Sequence, residues 1–214
     1  MMNVKRNVAV IFVNPIEFHG RHMPLKTDHE ISQALFARIK LDPQVQKLGL
    51  QFQEIETIHR GCDPARGQGS ERTSVAELTA LLISASKKAL EIKPLMVVFM
   101  TFHGSPTHAY AIAQAETWVK SHGVMAYNPF NLALEKLRDY DPSWALPLGE
   151  HVSDPVIREK WVARLPSDFH GGLFETSVLL ALNASVVKAS ELASLPDCPE
   201  RRPGLVAEFF IRFF

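Results

Sequence analysis

Two continuous apolar runs constrain the fold of this chain more than any other feature. The first covers Asn7 to Val13 and the second covers Leu95 to Phe102. Runs without alternating polar residues are typical of strands covered on both faces. Two weaker strand segments are Gln51 to Ile58 and Val124 to Tyr127, and segments with helical spacing lie between the strands. This alternation predicts an α/β fold with a mostly parallel central sheet and helices on both of its faces.

The strongest helical segment is Ser74 to Ile92, where apolar residues recur at spacings of three and four. Ser74 and Glu77 have the spacing of a capping box at its start. Helices are also predicted around Ile31 to Ile39, His108 to Ser121, Asn131 to Leu137, Val156 to Arg164 and Phe174 to Leu182.

Composition and charge exclude several classes of protein. The 214 residues correspond to one domain, 1–214, against a prior of roughly 150 residues per domain. Lys and Arg together number 23, as do Asp and Glu, and no basic stripe is present, so nucleic acid is not expected as a partner. No apolar run approaches the ~18 residues of a membrane span. Cys62 and Cys198 fit neither a disulfide framework nor a metal knuckle, which favours a cytoplasmic location.

Residues able to bind metals lie in or beside three predicted loops. The loop after the first strand contains Glu17, His19, His22 and Asp28, the second apolar run is followed by His103, and the loop Asp168 to Gly172, with His170, leads into a helix near Glu175. In an extended segment Glu17 and His19 point to the same side.

Loops at the carboxyl ends of parallel strands converge on one crevice. So many ionisable groups together need a cation to offset repulsion and desolvation. Mixed His and carboxylate ligands suit Zn, Mn or Fe, and a shared carboxylate such as Asp28 suits two ions ~3.5 to 4 Å apart. Two such ions can hold a hydroxide between them.

Each of these residues, taken alone, has an ordinary structural interpretation. A loop histidine is commonly a surface or hydrogen-bonding residue, His103 can cap a helix or a turn, and Glu175 can stabilise the first turn of its helix. Asp168 can orient His170 or cap a turn, and His22 is expected to support the site without binding the metal. The joint occurrence of the groups favours the metal site.

Two motifs resemble those of the creatininase (creatinine amidohydrolase) family. The segment from Pro15 to Asp28, with Glu17, His19, Gly20, His22, Pro24, Thr27 and Asp28, resembles the family's E-x-H-G-x-H-x-P-x-x-T-D motif. The segment Asp168 to Ser177 resembles its D-x-H-[AG]-G-x-x-E-T-S motif.

The resemblance implies a three-layer sandwich, assembly into homo-hexamers, and cleavage of non-peptide C–N bonds in small cyclic or linear amides. It implies two divalent metal ions, one held by Glu17, Asp28 and His103 and the other by His19, Asp28 and Glu175. It also implies that His170 is the general acid/base that works with a metal-bridging hydroxide.

Some family motifs are altered here. Thr101, Ser105 and Pro106 replace Asn, Gly and Asn of the family's N-G-H-G-G-N motif, and Gly69 to Ser74 stands roughly where the family has F-P-G-T. Ser105 and Trp144 are predicted as weaker substrate contacts, Trp144 by stacking on a planar ring. The sequence therefore predicts a dinuclear amidohydrolase. The alternative is a metal-stabilised family member that binds a partner but has lost catalysis.

Overall fold

The computed structural model of the chain describes residues 6–132, 150, 152–164, 168 and 170–195. Its strands are β1 (Arg6–Val13), β2 (Leu50–Ile58), β3 (Met96–Met100) and β4 (Met125–Tyr127). They form one parallel sheet in the order β2-β1-β3-β4. The structure therefore confirms the α/β class and the parallel sheet.

The strand order places a topological switch between β1 and β3. From β1 the chain passes to β2 on one side, and then returns to β3 on the other side. Val8 pairs with Met96, and Phe12 pairs with Met100 at the carboxyl ends of the two strands. In open α/β sheets, ligands bind in the crevice beyond such a switch.

Both faces of the sheet are covered. On one face, Ile11 of β1 and Phe99 of β3 pack with Leu82 of α3 (Val75–Glu91) and Ile112 of α4 (Pro106–Ser121). On the other, Phe12 packs edge-on against Phe36 of α1 (Thr27–Leu41), with ring centroids 5.5 Å apart. The continuous apolar run of β1 is explained because residues 8–13 are buried on both sides.

Several helix starts follow the sequence signals. Ser74 and Glu77 form the predicted capping box of α3. Ser105 caps α4, which begins at Pro106, slightly before the predicted start. Asp154 accepts hydrogen bonds from the N–H groups of Val156 and Ile157 at the start of α5 (Pro155–Arg164).

The remaining described helices are α2 (Pro43–Lys47), α6 (Leu173–Asn183), a 3₁₀ turn (Ala184–Val186) and α7 (Ala189–Leu192). Helix α2 was not predicted, although Asp42 caps it and Pro43 begins it. Residues 129–132 are helical, and the rest of the predicted helix Asn131 to Leu137 lies outside the described residues.

Two expectations about element ends were wrong. Asp28 lies in the first turn of α1, not in the loop before the helix. Strand β3 ends at Met100, not at Phe102. The physical reason is that the Phe102 N–H donates to the side chain of Asn14 and not to a neighbouring strand.

The contacts divide the chain into two compact units. Unit 1 comprises residues 1–18 and 25–131, and unit 2 comprises residues 19–24 and 132–214. The single-domain organisation, 1–214, remains a prediction. Among the described residues, no helix combines the length and apolar character needed to span a membrane.

Candidate metal centre

Unit 1 contains a buried triad of Glu17, Asp28 and His103. One ligand atom from each residue lies within 4.8 Å of the other two. The three residues are only 1%, 1% and 7% exposed. Glu17 follows β1 and His103 follows β3, so the triad lies at the switch point of the sheet.

Glu17 is held by backbone groups on both sides. Its N–H donates to the Leu25 carbonyl at 2.9 Å, and its Oε1 accepts a short hydrogen bond from the Ala65 N–H. The other carboxylate oxygen, Oε2, lies 2.8 Å from Nδ1 of His103. One face of the carboxylate is thus fixed by the protein, while the other faces the triad.

The loop from Gly61 to Thr73 is fastened to the Glu17 segment. Its Glu71 N–H donates to the Ile16 carbonyl, and the Phe18 N–H donates to Ser70 Oγ, both at 2.9 Å. A Cβ on Gly67 would collide with the Phe18 ring. The Gly-rich composition therefore allows close packing of the loop beside the triad.

The imidazole of His103 is oriented from two sides. Its Nε2 lies 2.8 Å from the Cys62 carbonyl, which can only accept, so Nε2 carries a proton. Its Nδ1 faces Glu17 Oε2 and, at 3.5 Å, Asp28 Oδ2. A histidine whose other nitrogen donates to a carbonyl has the arrangement typical of metal ligands.

The two neighbouring carboxylates also change the pKa of His103. Burial opposes its positive charge, but the hydrogen bonds and charges of Asp28 and Glu17 outweigh that effect and raise its pKa to about 10. The two carboxylates therefore favour a proton on Nδ1 of His103. A divalent cation can replace that proton, because two carboxylates and one imidazole are a ligand set that suits Zn, Mn or Fe.

Unit 2 contains a second pair of candidate ligands. Nε2 of His19 lies 3.8 Å from Oε2 of Glu175, and both side chains are buried. Glu175 is in the first turn of α6, and its Oε2 also accepts the Gly171 N–H. The half-buried ring of His170 lies 4.3 Å from that of His19, measured between centroids.

The side chain of His22 is hydrogen-bonded to another side chain of unit 2. The Thr176 hydroxyl donates to the Gly172 carbonyl at 2.6 Å, so His22 Nε2 donates to Thr176 Oγ1 at 2.8 Å. Burial and the neighbouring His19 lower the pKa of His22, which favours the neutral ring. These contacts are those of a supporting residue.

The structure places the other predicted residues as follows. Asp168 Oδ2 accepts the Phe174 N–H at 2.8 Å and so caps α6. Ser105 Oγ accepts the His108 N–H at the start of α4 and lies 3.0 Å from Thr107 Oγ1. Trp144 and Cys198 lie outside the described residues, whereas Cys62 is buried and has a free thiol.

Several groups beside the triad were not predicted. The Cys62 carbonyl and the Ala65 N–H are backbone groups, which residue types in a sequence do not reveal. Asn14 and Thr101 are fully or almost fully buried and contact the backbone that leads to His103. The signal available was a polar residue directly after the first apolar run, Asn14, and one near the end of the second, Thr101.

Comparison with known families gives a match over nearly the whole chain. The family model Creatininase, described as creatinine amidohydrolase, matches residues 2–212. No curated protein matches the sequence.

Solved structures of creatininases have the same fold. A glutamate-to-glutamine mutant of creatininase complexed with creatine aligns with a TM-score of 0.58 and 19% identity, covering 92% of this chain and 72% of that one. A structure described as creatininase Mn gives 0.57 and 18%, covering 91% and 71%. A Bacteroides fragilis NCTC 9343 protein assigned as a creatinine amidohydrolase gives 0.60 and 16%, covering 100% and 74%.

Proposed function

The chain belongs to the creatininase family, and on that premise we propose that it uses two divalent cations to hydrolyse a non-peptide C–N bond. The substrate is a small amide, lactam or formamide. The observation that carries this proposal is the buried triad of Glu17, Asp28 and His103, whose ligand atoms lie within 4.8 Å of one another. Burying two carboxylates together is unfavourable unless a cation offsets their charge.

The proposed ligands fall into two sets. Glu17, Asp28 and His103 hold the first ion. His19, Asp28 and Glu175 hold the second, so that Asp28 is shared; the sequence resemblance supports this assignment. The similarity to a structure described as creatininase Mn supports manganese, and the ligand types are equally suited to Zn or Fe.

When bound, two such cations make water more acidic and polarise the carbonyl of the amide. The role proposed for His170 is proton transfer, which requires a side chain that can both accept and donate. It accepts a proton from the attacking water and donates one to the leaving nitrogen. Its half-buried position beside His19 supports this role, since a general acid/base must reach the substrate.

The similarity to a creatininase complexed with creatine supports a small-molecule substrate. Ser105 and Trp144 remain predicted substrate contacts. The homo-hexamer and the cytoplasmic location also remain predictions.

The test is hydrolysis of a panel of small lactams and formamides after reconstitution with Mn²⁺ or Zn²⁺, in the wild type and in His170→Ala. We expect turnover to fall by about 10²- to 10⁴-fold in His170→Ala, with unchanged metal content. The control is His122→Ala, because His122 is exposed at the end of α4 and its side chain bonds only to Trp118 and Ser121 among the described residues.

Loss of metal together with activity in His170→Ala would contradict the proton-transfer role. Metal uptake by the wild type without hydrolysis of any substrate in the panel would instead favour a metal-stabilised binding protein.

A further inference from the structure

The segment Thr101–His103 leaves β3 and carries the imidazole of the triad. Its own neighbours in sequence, Thr101 to Pro106, include no amide side chain. Asn14 supplies one from the end of β1, the adjacent strand. Asn14 is fully buried, and its own N–H donates to the Ile58 carbonyl of β2 at 3.0 Å, so its backbone is anchored in the sheet.

The Asn14 side chain bonds to both residues that precede His103. Its Oδ1 accepts the Phe102 N–H at 2.9 Å and the Thr101 hydroxyl at 3.3 Å. Thr101 Oγ1 in turn accepts the His103 N–H at 3.2 Å. Two consecutive backbone N–H groups are therefore held by side chains at the point where the strand ladder stops.

The orientation of the Asn14 amide is fixed by its other end. Nδ2 lies 2.9 Å from Ser32 Oγ, and the Ser32 hydroxyl donates its proton to the His29 carbonyl. Ser32 Oγ must therefore accept, and only the NH₂ group of Asn14 can donate to it. This places the amide oxygen on the Phe102 and Thr101 side.

The Thr101 hydroxyl has hydrogen-bond partners for both its donor and its acceptor positions. It donates to Asn14, accepts from the His103 N–H, and lies 3.3 Å from Nε2 of the buried His108. Because the Thr101 hydroxyl gives its proton to Asn14, Nε2 of His108 is the donor in that contact. These hydrogen bonds between buried groups hold the Thr101 hydroxyl in one orientation.

We propose that Asn14 and Thr101 are positioning residues that set the affinity of the triad for its metal ion by fixing the backbone of His103. This inference rests on the proposed function. The Cys62 carbonyl fixes the ring, and Asn14 with Thr101 fix the main chain from which that ring projects. Nδ1 is thereby directed at Glu17 and Asp28 before any ion arrives.

The test is the dissociation constant for Mn²⁺, measured on metal-free protein by competition with a chromophoric chelator. The variants are Thr101→Val, which keeps the shape but loses the hydroxyl, Thr101→Ser, which keeps the hydroxyl, and Asn14→Ala. The control is Ser86→Ala, because Ser86 is also fully buried and donates to the Leu82 carbonyl within α3. The thermal midpoint of each metal-free variant is recorded alongside.

We expect Thr101→Val and Asn14→Ala to weaken Mn²⁺ binding by about 10- to 100-fold, as is usual when a group that orients a ligand is removed. Thr101→Ser should bind within about threefold of the wild type, and Ser86→Ala should bind like the wild type even where its thermal midpoint falls. Rescue by serine separates positioning from general stability.

Wild-type affinity in Thr101→Val, with affinity lost in His103→Ala, would overturn this inference and leave the proposed function intact. Equally weak binding in Thr101→Ser and Thr101→Val would also overturn it. Failure of the wild type to bind any of Mn²⁺, Zn²⁺ and Fe²⁺ in the same assay would overturn the proposed function itself.

Discussion

His103 and His108 show how strongly local charge decides the state of a buried imidazole. Their rings meet edge to face, with centroids 5.0 Å apart. Burial disfavours the charged form of both, yet the carboxylates of Asp28 and Glu17 raise the pKa of His103 to about 10. His108 has His103 as its main charged neighbour, and its pKa is lowered to about 3. Of these two histidines, His103 is the one whose surroundings favour a positive charge.

His29 provides a pH-dependent test at this scale. Burial, together with His59 and Lys26, lowers its pKa from 6.5 to about 4. Between these values the unfolded chain binds a proton that the folded chain does not, so this contribution to stability is full above pH 6.5 and is lost as the pH falls toward 4. One such group contributes a slope of about 1.4 kcal/mol per pH unit.

In His29→Gln we expect the free energy of unfolding to fall less steeply as the pH decreases across that window. The slope should be smaller by about 1.4 kcal/mol per pH unit, the contribution of one proton. Urea denaturation of metal-free protein at several pH values measures the slope. An unchanged slope in the variant would contradict the lowered pKa of His29.

At the scale of elements, the start of α6 requires a glycine at position 172. A Cβ on Gly172 would overlap Oδ1 of Asp168, whose Oδ2 caps the helix through the Phe174 N–H. Gly104, beside His103, has no atom within 4 Å of the corresponding position. The two motif glycines therefore differ in the space available for a side chain: none at position 172, and open space at position 104.

We expect Gly172→Ala to displace Asp168 and to destabilise the protein by about 1 kcal/mol, the usual cost of a lost cap. Gly104→Ala should change stability by no more than about 0.5 kcal/mol. Thermal denaturation of the two matched variants compares them. Equal tolerance of both substitutions would contradict the cap, and equal damage would mean that Gly104 has a role beyond the contacts described.

The elements that the sequence predicted best are those set by local signals. The capping box at Ser74 and the apolar run of β1 follow from residue types at fixed spacings. The end of β3 could not be predicted, because the partner of the Phe102 N–H is Asn14, 88 residues away. The same holds for Asp28, which belongs to α1 although its spacing from Glu17 is equally compatible with a loop.

At the scale of the whole molecule, the order of the strands brings the triad together. The sequence predicted that polar loops would meet at the carboxyl ends of the strands. It did not reveal that β1 and β3 are neighbours, because that pairing joins segments far apart in the chain. Once they are neighbours, Glu17 and His103 necessarily lie near each other. The motifs could be recognised because they are local, and the family match confirms the resemblance to creatininases that they indicated.

The most direct test of the proposed dinuclear site is metal content, determined by plasma mass spectrometry on protein purified without chelators and then reconstituted with Mn²⁺ or Zn²⁺. The variants are Asp28→Ala, which removes the proposed shared ligand, and Asp42→Ala, whose exposed carboxylate caps α2 and has no other hydrogen bond among the described residues. We predict about two ions per chain in the wild type and in Asp42→Ala, and loss of both ions in Asp28→Ala. Fewer than about one ion per chain in the reconstituted wild type would contradict a two-metal site.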